Sequence, residues 1–149
     1  MNLTSKTLLR RSLLTTILAM TSTAPLMALA ADTATFSATL SGAAEVPANM
    51  SPGSGSLEAT LDKSTNQLTW KMTYIGLSGP ATMAHFHGPA MPGANAGVVV
   101  PFASAVSPVE GKATLTAPQV ADLMAGKWYA NVHTAANPGG EIRGQLMLK

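Results

Sequence analysis

From Thr35 almost to its last residue the chain alternates apolar and polar side chains, and a period of two restricts it to strands. Phe36, Ala38 and Leu40 alternate with Thr35, Ser37 and Thr39. Leu57, Ala59 and Leu61 alternate with Ser56, Glu58 and Thr60, and Leu68, Trp70, Met72 and Tyr74 with Thr69, Lys71 and Thr73. Successive residues of a strand point to opposite faces, so each segment has one face for a core and one for water. Turn-forming residues separate them: the stretch 47–55, and Asp62-Lys63-Ser64-Thr65-Asn66, which fits a short hairpin connection. Val98 to Phe102 reads as a short buried strand, and Ala113 with Leu115 marks a half-buried one. Trp128, Ala130 and Val132, then Ile142, Gly144, Leu146 and Leu148, form two more alternating runs. Asn137-Pro138-Gly139-Gly140 between them signals a turn, so the pair reads as a hairpin.

One stretch breaks the alternation. Thr116 can cap a helix, Pro118 suits its first turn, Gln119 completes a capping box and Gly126 can end it. Val120, Leu123 and Met124 would be its buried stripe. The expectation is an all-β domain over residues 31–149, an antiparallel Greek-key β-sandwich or barrel of about seven or eight strands. A single short helix near residues 117–125 packs against it.

The first thirty residues read differently. Lys6, Arg10 and Arg11 are followed by an apolar run beginning at Leu13, and Ala28-Leu29-Ala30 supplies a small-x-small cleavage site. Thr21, Ser22, Thr23 and Pro25 interrupt the run too soon for a stable membrane span. Residues 1–30 are therefore expected to be a cleaved export signal, with Arg10-Arg11 a loose match to the twin-arginine kind. The compartment is periplasmic or secreted.

Export also removes the basic character. The chain has nine Lys and Arg against seven Asp and Glu. Three of the nine lie in the leader, which leaves six against seven, so nucleic acid is not an expected partner. The chain has no cysteine, so it has neither a disulfide framework nor a thiolate metal site. Asn49-Met50-Ser51 is formally a glycosylation sequon, of consequence only in a eukaryotic secretory host.

The chemistry-bearing residues are few. There are three histidines, and two of them stand in Ala84-His85-Phe86-His87-Gly88-Pro89. On a strand His85 and His87 share a face with Met83, while Ala84 and Phe86 take the other. His133 lies in the hairpin, and a shared core would put it on the outer face with Glu141, Arg143 and Gln145. Arg143 is the one arginine after the leader.

Three imidazoles on rigid strands make a metal site with His85, His87 and His133 as ligands. Imidazole suits copper and zinc, and the thioethers of Met83 and Met91 would favour copper(I). Zinc with an open fourth position is the other assignment, a hydrolytic arrangement, but no carboxylate is well placed as base and Glu141 is the nearest. The plainer readings stand beside these: surface histidines, Met83 as packing filler, Asn131 at a strand end, and Arg143 paired with Glu141. Trp70 and Trp128 read as core anchors. No nucleophile–base pair, phosphate loop or dinucleotide fingerprint is present.

Three segments, Ala84 to Pro89, Gly126 to Thr134 and Pro138 to Leu146, resemble in order those of the CHRD domain, named for its repeats in chordin and common in exported bacterial proteins. The resemblance covers about Thr35 to Leu148 and implies a secreted domain more firmly than an activity. In outline the chain is also similar to copper-zinc superoxide dismutases. That likeness implies copper on His85, His87 and His133, and Arg143 as the catalytic guide for a small anion such as superoxide. With three histidines and no cysteine, it implies a copper-only form. Two functional readings follow: an exported copper-binding domain that is a candidate dismutase, and a non-catalytic secreted interaction module with an unassigned protein partner.

Overall fold

The computed structural model describes residues 32–149. The expected export signal, residues 1–30, lies outside them. The chain forms β1 (Thr33–Ser41), β2 (Ser54–Asp62), β3 (Gln67–Ile75), β4 (Ala81–His87), β5 (Val98–Pro101), β6 (Val109–Thr114), α1 (Ala117–Met124), β7 (Tyr129–Thr134), β8 (Ile142–Gln145) and β9 (Met147–Leu148). All the strands belong to one sheet, in the order β5-β4-β7-β8-β1-β2-β3-β6, with β9 beside β1. Every pairing is antiparallel.

The alternating segments pair in register. Phe36 faces Ala59 across β1–β2, and Ala59 faces Trp70 across β2–β3. The Asp62 carboxylate accepts the Ser64 and Thr65 amides, and Asn66 takes a left-handed φ of 56°, so the β2–β3 hairpin closes as its residues predict.

Although β3 and β4 lie far apart in the strand order, their side chains meet. The Trp70 and Phe86 rings are 5.1 Å apart, and Phe102 packs on both, at 4.9 and 4.7 Å. The sheet is thus curled into a nearly closed barrel, open between its edge strands β5 and β6. Phe36, Leu40, Leu57, Leu61, Leu68, Met72, Phe86, Trp128, Ile142 and Leu146 are fully buried inside it. Each such side chain contributes about 1.5–3 kcal/mol.

The helix forms where its capping box lies. Thr116 Oγ1 accepts the Gln119 amide and Gln119 Oε1 accepts the Thr116 amide at 2.8 Å. Leu123 is buried and Val120 half-buried, but Met124 is exposed. The expected three-residue stripe is shorter because the helix ends at Met124, on the rim beside Leu148 and Lys149. Among the described residues no helix is long and apolar enough to cross a membrane.

What positions the candidate site is the order β4-β7-β8. Met83 faces His133, His85 faces Asn131 and His87 faces Tyr129. On the other side of β7, Asn131 faces Arg143 and Tyr129 faces Gln145.

Candidate metal centre

Strand geometry turns Ala84, Phe86, Ala130 and Val132 into the core and the intervening residues to the outer face of β4 and β7. The three histidines meet there. Ring centroids are 5.5 Å apart for His85 and His87, 5.1 Å for His85 and His133, and 6.4 Å for His87 and His133. One ring nitrogen from each lies within 4.8 Å of the others. His87 and His133 are buried and His85 is half-buried.

Two of the rings are held by backbone carbonyls. His87 Nδ1 lies 2.9 Å from the Ala96 oxygen and His133 Nδ1 lies 2.9 Å from the Pro138 oxygen. A carbonyl can only accept, so each Nδ1 carries the proton and each Nε2 is left to offer a lone pair. Backbone carbonyls orient metal-bound histidines in the same way. The third ring supplies a different signal: His85 Nδ1 is buried and has no hydrogen-bond partner.

The surroundings of His85 and His133 favour the neutral form. Burial lowers the pKa of His85, and the neighbouring His133 and His87 lower it further. Burial also lowers that of His133, opposed by the Pro138 carbonyl and reinforced by His87. Neutral imidazole is the form a metal binds.

Asn131 sits at the centre, almost fully buried. Its Oδ1 lies 3.0 Å from His87 Nε2 and 3.0 Å from His133 Nε2. Among the described residues no carboxylate joins the three histidines.

The loop between β4 and β5 covers one side of the centre. Arg143 anchors it, donating from Nη1 to Asn95 Oδ1 at 2.9 Å and from Nη2 to the Ala94 carbonyl at 2.7 Å. Its guanidinium lies 3.4 Å from the centroid of the Tyr129 ring. Tyr129 in turn stacks on His87 with centroids 4.8 Å apart and planes 3° from parallel. The Tyr129 hydroxyl donates to the Ala96 carbonyl, and Gln145 Nε2 donates to the Ala90 carbonyl. Arg143 is only 2% exposed, and no ion pair among the described residues includes it.

Glu141 does not join the histidines. It precedes β8, where strand alternation does not govern it, and its carboxylate accepts from Ser51, Ser78 and Thr134 hydroxyls and from the Ser78 amide. Burial raises its pKa, but these donors, Ser78 foremost, outweigh burial and hold it at about 2.

Glu45 lies against the β7–β8 turn, under Gly140. Burial pushes its carboxyl up to about 7, although Arg143 and the Val46 amide oppose the rise. Its Oε1 has no hydrogen-bond partner. Met83 and Met91 are exposed, Met83 directly across from His133. Sequence reasoning did not single out Tyr129, although its position two residues before Asn131 places it on the same strand face.

The family model described as the CHRD domain matches residues 36–146. No curated protein matches the chain, and no solved structure does.

Proposed function

The chain belongs to the CHRD domain family, and on that premise we propose that it is an exported copper-binding protein whose ligands are His85, His87 and His133. The observation that carries the proposal is the convergence of three ring nitrogens within 4.8 Å, two of them on rings fixed by carbonyls. The unpartnered His85 Nδ1 supports it. A buried polar atom without a partner costs about 1–3 kcal/mol, which a bound cation would offset.

The donor set points to copper. It is made of neutral nitrogens with an exposed thioether, Met83, beside it, and such sites hold copper(II) more tightly than the other divalent first-row ions. Zinc is the second fit. The leader of basic, apolar and small-residue regions in residues 1–30 supports a periplasmic or secreted location.

Copper would supply one-electron chemistry here, and superoxide dismutation is the catalytic extension of the proposal. In this reading Arg143 is first the anchor of the 88–97 loop. It guides an anion only if the guanidinium leaves Asn95 and Ala94.

The test is competition titration of copper into the folded protein. Wild type should bind one equivalent. His85→Ala, His87→Ala and His133→Ala should each weaken binding by more than the about 10–100-fold typical of losing an outer partner. Equal affinity in wild type and His133→Ala would refute the three-histidine site, and failure of wild type to bind copper or zinc would leave the non-catalytic interaction module. Dismutation is scored separately: turnover no faster than free copper with an inert protein means binding without that activity.

A further inference from the structure

The centre of the histidine cluster is occupied by a side chain with two chemically different ends. Asn131 Oδ1 lies 3.0 Å from both His87 Nε2 and His133 Nε2. The Nδ1 atoms of these rings already donate to Ala96 and Pro138 carbonyls. With neutral rings, both Nε2 atoms present lone pairs, and so does an amide oxygen. Three acceptors with no proton between them repel one another.

Two arrangements relieve this. In one, the amide turns half a revolution about Cβ–Cγ and its NH2 group donates one hydrogen to each Nε2. In the other, a cation sits among the three acceptors. Two donors about 2.1 Å from one ion, at angles of about 90–110°, are about 3.0–3.4 Å apart, so the two 3.0 Å separations from Asn131 Oδ1 fit edges of a coordination polyhedron. The side chain is 3% exposed, and Asn131 pairs across β4–β7 with His85, whose Nδ1 is buried without a partner.

We propose that Asn131 is a switchable fourth donor: its NH2 group latches the two Nε2 atoms while the site is empty, and its Oδ1 binds the ion when the site is filled. This rests on the metal-binding reading above and deepens it. An empty pair of imidazoles is kept in register without being protonated, and a half-turn of the amide puts its oxygen in place of the NH2 group when the ion enters. The metal class this favours is a borderline divalent ion with three nitrogens and one neutral oxygen.

Zinc, being diamagnetic, allows the switch to be followed in wild-type protein. In 15N-labelled protein the Asn131 side-chain NH2 resonances should move to a new position in step with one equivalent of zinc. Asn131→Ala should bind zinc about 10–100-fold more weakly, and its cobalt(II) visible spectrum should differ from wild type because water replaces the amide oxygen. Asn131→Asp, which keeps an oxygen at the same place, should bind at least as tightly as wild type. If wild type takes up zinc, but the Asn131 resonances stay put and Asn131→Ala binds as tightly as wild type, the fourth-donor role is overturned and the three-histidine site stands. If wild type takes up copper but neither zinc nor cobalt, the fourth-donor role is overturned and the copper site stands; if it takes up none of the three, both readings fall.

Discussion

Glu45→Gln should stabilise the protein at neutral and alkaline pH and do little in acid. The carboxyl is 7% exposed, its Oε1 has no hydrogen-bond partner, and burial raises its pKa from 4.5 to about 7. The folded state therefore holds a proton on Glu45 that the unfolded state has already released, so stability falls as pH rises from about 4.5 through 7. Each tenfold change in proton affinity is worth about 1.4 kcal/mol. Ionised Glu45 then costs the fold about 3 kcal/mol at pH 8 and about 1 kcal/mol at pH 5. Gln has the shape of the protonated acid and removes that cost, so the gain should track pH. Urea unfolding of both proteins at pH 5 and pH 8, in metal-free buffer, measures it. A gain of the same size at both values, or a loss that grows with pH, would refute the burial argument.

Three other outcomes follow from contacts already described. The metal-free protein should lose stability as pH falls below about 6.5, because unfolded histidines take protons before His85 and His133 do, and again between about 4.5 and 2, where Glu141 gives up its depressed pKa; chemical denaturation across that range reads both phases. Arg143→Met should cost about 3 kcal/mol by leaving the Ala94 carbonyl and Asn95 Oδ1 without their donor, and should speed hydrogen exchange at the Ala96 amide; Arg143→Lys should recover only part, lacking the planar fork. Gly144→Ala should destabilise by at least about 2 kcal/mol in thermal or urea melts, since a Cβ there would lie 2.5 Å from the Thr39 carbonyl oxygen on the neighbouring strand.

The barrel was readable because its strands alternate cleanly: Phe36, Trp70, Phe86 and Val132 each fall on the apolar side of their own segment and all end in one core. That His85 and His87 share a face was readable for the same reason, and the hairpin register put His133 on an outer face; that β7 lies beside β4 and so brings the three together is given only by the fold. The environment of the cluster was not. Residues 88–97 have no periodicity from which a path could be inferred, yet their carbonyls fix His87 and bury Arg143. An outer face was expected to be wet; a loop laid over it makes Asn131, Tyr129 and Arg143 interior residues. Glu141 escaped for a different reason: a turn residue with Gly140 at φ 133° before it does not obey the period of the strand that follows.

The β4–β7 pairing also decides when the site can exist. Between the two strands the chain builds β5, β6 and α1, and 44 residues separate His87 from Asn131. Contacts of that span are made late in folding, after the cost of closing a long loop has been met. A nascent or partly folded chain has at most the His85–His87 pair, a weak and unselective chelate. If the cluster holds a metal as proposed, its choice belongs to the place and moment at which folding finishes, and the ion present there, as much as the donor set, would determine which one is bound.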